Sequence, residues 1–109
     1  GGVCSVVYQN PTDNTTMNPG QGFTTRWTLK NTSSDTWRND SVDVRVAAGT
    51  RMHTGSDVRD LPYSVGSQGM VDVLIDMVAP STKGTYTENW ALTQGLSPVC
   101  SFFVTIQVK

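Results

Sequence analysis

Hydrophobic and polar residues alternate along most of this chain with a period of two. In Phe23-Thr-Thr-Arg-Trp-Thr-Leu-Lys30, Phe23, Thr25, Trp27 and Leu29 share one side, and Thr24, Arg26, Thr28 and Lys30 the other. That pattern predicts a strand with one buried and one solvated face. It recurs over 41–48, where Val42, Val44 and Val46 point inward and Asp43 and Arg45 outward. Over 70–78, Val71, Val73 and Ile75 are inward, with Asp72 and Asp76 in solvent. Over 84–93, Tyr86, Trp90 and Leu92 form the inner face, and in the last segment Phe102, Val104, Ile106 and Val108 do. Residues 3–8 read as a first strand and 57–61 as a short one before Pro62. Asn10-Pro11-Thr12-Asp13-Asn14, Asn18-Pro19-Gly20-Gln21-Gly22, Asn31 to Asp35, Gly66 to Gly69, Ala79-Pro80 and Gly95 to Pro98 punctuate these runs as turns. The expectation is all-β: an immunoglobulin-like antiparallel β-sandwich of about seven strands, with Trp27, Trp90, Phe23, Leu29 and Tyr86 in its core.

Composition agrees. Fifteen Thr and 14 Val stand against four Ala and five Leu, and β-branched side chains suit a pleated, half-buried surface. The 109 residues fit one domain, over 3–109, and Gly1-Gly2 reads as a cloning remnant on a piece of a longer protein. A formal charge of -1 lacks the basic surplus that phosphate binding needs, which disfavours nucleic acid as partner. No apolar run approaches the ~20 residues of a membrane helix, so this fragment is not expected to insert in a membrane.

Cys4 and Cys100 open β-rich segments near the two ends. If the first and last strands lie side by side and parallel, both cysteines fall at the same end of the pair and a disulfide is reasonable. The alternative is two buried free thiols. A disulfide implies an oxidising compartment, extracellular or at the cell surface. With no CxxC and one histidine, the chain offers no four-ligand zinc site, and no cofactor is expected.

The ordered motifs resemble one family. They are Asn18-Pro-Gly-Gln-Gly-Phe-Thr-Thr-Arg-Trp-Thr-Leu-Lys-Asn-Thr32, Thr36-Trp37, Val71 to Pro80, Gly84-Thr-Tyr86, Trp90-Ala-Leu92 and Phe103 to Val108. Together they resemble the four-tryptophan (FW) domain. This is the immunoglobulin-like central domain of the "neighbour of breast cancer gene one" autophagy receptors, found also in bacterial multidomain proteins. Trp27, Trp37 and Trp90 match three of the naming tryptophans. Phe102-Phe103 stand where the fourth is expected, and Gly66-Ser-Gln-Gly69 replaces the usual Gly-Glu turn. The terminal cysteines lie outside the family pattern and point to the secreted bacterial members. The resemblance implies a non-catalytic module for protein–protein contact or for spacing domains. Its partners would be another protein or neighbouring domains of the same polypeptide.

Chemistry of its own is sparse. His53 lies in Arg51-Met-His-Thr-Gly55 without a GxSxG nucleophile elbow, so it reads as a solvated loop residue. Asp72 and Asp76, four residues apart on one strand face, sit ~13 Å apart, too far for paired-carboxylate glycoside hydrolysis. Asp40, Asp43, Asp57 and Asp60 do not follow a dedicated calcium loop. Trp37, at a turn, is either edge packing or an exposed anchor. Tyr63, beside Pro62, is the better contact residue, because exposed loop aromatics serve as anchors. Met52, Tyr63 and Met70 form a small apolar patch if the fold makes them neighbours. Asn14, Asn31 and Asn39 begin N-x-Ser/Thr triplets, which are common by chance in such a composition. The second functional reading is a carbohydrate-binding accessory module of a secreted hydrolase, which needs a row of coplanar exposed aromatics.

Overall fold

The computed structural model describes residues 3–109, so Gly1-Gly2 lies outside the described residues. Eight strands form two stacked sheets: β1 (Cys4–Asn10), β2 (Thr15–Met17), β3 (Gly22–Asn31), β4 (Val42–Gly49), β5 (Val58–Asp60), β6 (Met70–Val78), β7 (Gly84–Gln94) and β8 (Ser97–Val108). One sheet has the order β1-β3-β6 and the other β2-β8-β7-β4-β5. The alternation converts directly into register. Trp27 opposes Val73 across β3 and β6, and Trp90 opposes Phe102 across β7 and β8. Their side chains therefore share the space between the sheets, and both tryptophans are fully buried. The Trp27 ring meets Phe102 edge-on at 4.9 Å, and its indole N–H donates to the Phe103 carbonyl of the opposite sheet at 3.0 Å. Leu29 is also fully buried, whereas Phe23 and Tyr86 pack against the core from its margin.

Two expectations need correction. The short β2 makes an eighth strand, and it runs parallel to β8 through Thr15–Ile106, Thr16–Gln107 and Met17–Val108. The turn-forming Asn10 to Asn14 concealed it. Its signal was Met17, an apolar residue that becomes buried. The second correction concerns the termini. β1 does not lie beside β8 but pairs antiparallel with β3 in the other sheet. The Cys4–Cys100 disulfide therefore joins the two sheets face to face, with Cα atoms 5.7 Å apart.

The outer face of the three-stranded sheet is mixed, with Met70, Leu74 and Val78 of β6 exposed beside charged groups. β3 and β6 turn charged and polar groups outward, where Arg26 pairs with Asp72 at 2.9 Å and stacks over the Tyr8 ring at 5.1 Å. Thr28 and Thr24 donate to Asp72 and Asp76 respectively. Asp72 and Asp76 are thus held by cross-strand partners on a solvated face.

Candidate functional site

The most constrained polar cluster is internal. Gly49 ends β4 with φ +91°, and a Cβ there would sit 2.2 Å from the Thr87 carbonyl oxygen. Only glycine lets the chain cross β7 this closely. The crossing is sealed by the Thr50 N–H to Thr87 carbonyl bond at 2.9 Å, and it brings Met52 and His53 over Glu88. Glu88 is an inward-facing residue of β7 with no exposed surface. Its carboxylate accepts the Met52 and His53 backbone N–H groups at 3.2 and 3.0 Å and bonds to His53 Nδ1. His53 Nε2 faces Asp57 Oδ1 at 2.7 Å, and its ring meets Trp90 edge-on at 4.9 Å. Arg59 lies over Trp90 at 5.6 Å.

His53 is therefore not the solvated loop residue that the sequence suggests. It is buried because the fully buried Glu88 carboxyl group needs hydrogen-bond partners, which His53 Nδ1 and two backbone N–H groups supply. Asp57 is exposed and its carboxyl is held below the usual carboxylate range, first by the hydrogen bond from His53, with Arg51 assisting. Asp40 is lowered likewise by Arg38. The arrangement ties the 50–57 segment to β7, and its acceptors are occupied by internal donors. Among the described residues no group of three or more His, Cys, Asp or Glu is arranged to hold a metal ion. Of the four aspartates weighed for calcium, Asp40 and Asp57 are ion-paired and Asp43 opposes Asp60 across β4 and β5.

The contact residues expected from sequence separate. Trp37 is buried because it forms a two-bond bridge with Val65 (2.9 and 2.8 Å). Met52 is buried because its carbonyl takes the Val78 N–H and its side chain joins the core. Neither is available as an anchor. Tyr63 is 51% exposed, and its hydroxyl donates to the Met70 carbonyl at 3.2 Å. Tyr63 and the 52% exposed Met70 are thus neighbours. The exposed aromatics do not form a row. Tyr8 lies on the outer face of the three-stranded sheet, Phe103 on the five-stranded sheet, and Tyr63 in the β5–β6 connection. Asn31 opens the turn that the sequence predicts over 31–35. It is fully buried and its amide holds the 32–35 turn, donating to the Asp35 and Val65 carbonyls and accepting from Ser33.

Two face-packed sheets joined by a disulfide, with a tryptophan-centred core, define an immunoglobulin-like β-sandwich domain. The family profile described as "Ig-like domain from next to BRCA1 gene" matches residues 10–108. The chain belongs to that family. It is 30% identical over 88 residues to the Next to BRCA1 gene 1 protein of Mus musculus and to that of Homo sapiens. Each match covers 80% of this chain and 9% of the relative, so the chain spans about a tenth of those proteins. Among solved structures, a Paenibacillus cycloisomaltooligosaccharide glucanotransferase, complexed with cycloisomaltoheptaose, matches with a TM-score of 0.59 and 22% identity. That match covers 99% of this chain and 14% of the other, and at this identity the likeness is one of fold.

Proposed function

We propose that the chain is a non-catalytic module of a secreted or cell-surface bacterial protein, mediating protein contact or spacing neighbouring domains. Its family is generally non-catalytic, and the observation that carries the contact reading is Tyr63. A half-exposed aromatic whose hydroxyl is fastened to Met70 presents apolar area at little entropic cost, which is what interface anchors do. The oxidising compartment is supported by the inter-sheet disulfide. The bacterial, multidomain setting is supported by the fold likeness to a segment of a long bacterial enzyme.

The test is affinity capture with the wild-type chain and Tyr63→Ala, each checked for folding by circular dichroism. A protein retained by the wild type and lost with Tyr63→Ala supports the contact role. A protein retained equally by both removes Tyr63 from it. No protein retained by either, while the module holds its neighbours at fixed separation in small-angle scattering of the parent protein, supports the spacer role.

A further inference from the structure

The flank between β5 and β6 carries an unfinished sheet edge. β6 is the outer strand of its sheet, and its even-numbered residues turn their backbone groups away from β3. Two bonds establish this: Val78 N–H donates to the Met52 carbonyl at 2.8 Å, and Thr54 N–H donates to the Asp76 carbonyl at 2.9 Å. Tyr63 Oη occupies the Met70 carbonyl. By the two-residue period of a strand, Asp72 and Leu74 aim their N–H and C=O groups outward too. Neither pair meets a partner among the described residues. Beside this window is a groove of about 260 Å³. Val44 of the opposite sheet, Pro62, Val73 and Ile75 give it apolar walls, and Arg59 and Asp60 its rim. Leu74, 55% exposed, stands at its lip.

We propose that this edge takes an extended peptide of a partner protein as an added strand, with one apolar side chain in the groove and Lys or Arg on either side of it. Unpaired edge groups are satisfied in full by another extended backbone, and pockets for alternate side chains then give selectivity. The charge preference comes from Asp60 and Asp76, since Asp72 is already paired with Arg26 and the Arg59 guanidinium on the same rim is held by the Ser56 and Thr54 carbonyls. The Asp76 carboxylate is bonded only by the Thr24 hydroxyl, and Asp60 has no ion pair among the described residues. A second copy of this chain is disfavoured as occupant because it brings the same aspartates. The proposal rests on the protein-contact reading and specifies its geometry.

The test is selection of random linear peptides displayed on phage against the folded wild-type chain, followed by affinities of the winners as synthetic peptides. The expected winners carry an apolar residue between basic ones. Leu74→Pro removes one outward N–H without touching the β3 ladder and weakens them at least about tenfold, while Leu74→Ala stays within about twofold. N-methylation of the peptide gives the same contrast without altering the protein: alternate positions abolish binding and the intervening ones do not. If Leu74→Pro shifts the urea midpoint, the N-methyl series decides alone. Absence of any selected peptide, affinities indifferent to both perturbations, or a wild-type dimer that Leu74→Pro disperses would each overturn the proposal. A partner captured through Tyr63 alongside such a result leaves the contact reading standing and removes only the edge.

Discussion

Replacing His53 by Leu tests the internal clamp directly. The substitution keeps apolar bulk against Trp90 and deletes the side-chain partner of Glu88, whose carboxyl group has no exposed surface. The carboxyl group retains two backbone N–H donors on one oxygen at 3.2 and 3.0 Å, but its other oxygen is then buried without its partner. Breaking one side of a buried pair destabilises by about 3–5 kcal/mol, against a total of ~5–15 kcal/mol for a domain of this size. In urea with the disulfide intact, at a slope of roughly 1.5 kcal/mol/M, the midpoint falls by about 2–3 M. Glu88→Gln keeps an oxygen for the two N–H groups and loses about 1–2 kcal/mol. The double variant His53→Leu with Glu88→Leu is less destabilised than the sum of its singles, by at least ~2 kcal/mol. A loss below ~1 kcal/mol for His53→Leu, with the two substitutions additive, refutes the clamp.

Other outcomes follow from the same structure. Reduction of Cys4–Cys100, read by mass spectrometry as the gain of two hydrogens, releases a loop of separation 96. In the chain-entropy account it lowers stability by about 4–5 kcal/mol; a mass unchanged by reductant contradicts the bond. Gly49→Ala meets both a positive φ and a 2.2 Å approach to Thr87, so it loses at least ~2 kcal/mol in thermal or urea unfolding. Gly20→Ala, with positive φ and open space around it, loses less. Asp57 is held below its unfolded pKa by His53. Its contribution is therefore complete above the ordinary carboxylate value of about 3.9 and lost as pH falls through the lower folded one. Asp57→Asn flattens that acidic limb in pH-dependent urea midpoints, leaving the part due to Asp40; an unchanged limb contradicts the pairing.

The period-two pattern carried most of the sandwich, because each inward set, such as Val71, Val73 and Ile75, had to find an opposing set to bury. The pattern says nothing about which sheet a terminal strand joins, so the β1–β3 pairing and the route of the disulfide were not legible. Three residues of β2 are too few to show a period. The clamp was hidden for a different reason. Glu88 sits in phase with Tyr86 and Trp90 on the inner side of β7, but a carboxylate there reads as solvent-facing until the chain reversal after Gly49 brings His53 above it. Glu88 in that phase, with one histidine in the chain, was the available signal. For Trp37 the sequence leaves edge packing and an exposed anchor both open, and Met52 in its loop reads as exposed; the Trp37–Val65 bridge and the Met52–Val78 bond draw both inside.

The proposed contact surface of this immunoglobulin-like domain is the flank that carries Tyr63. A photo-crosslinking side chain placed at Tyr63, and in a second variant at Phe103 on the outer face of the five-stranded sheet, separates the two surfaces within one fold. Irradiation of the parent protein in its native setting is predicted to give a covalent adduct from position 63 and none from position 103. An adduct from 103 alone, or equal yields from both, contradicts the account.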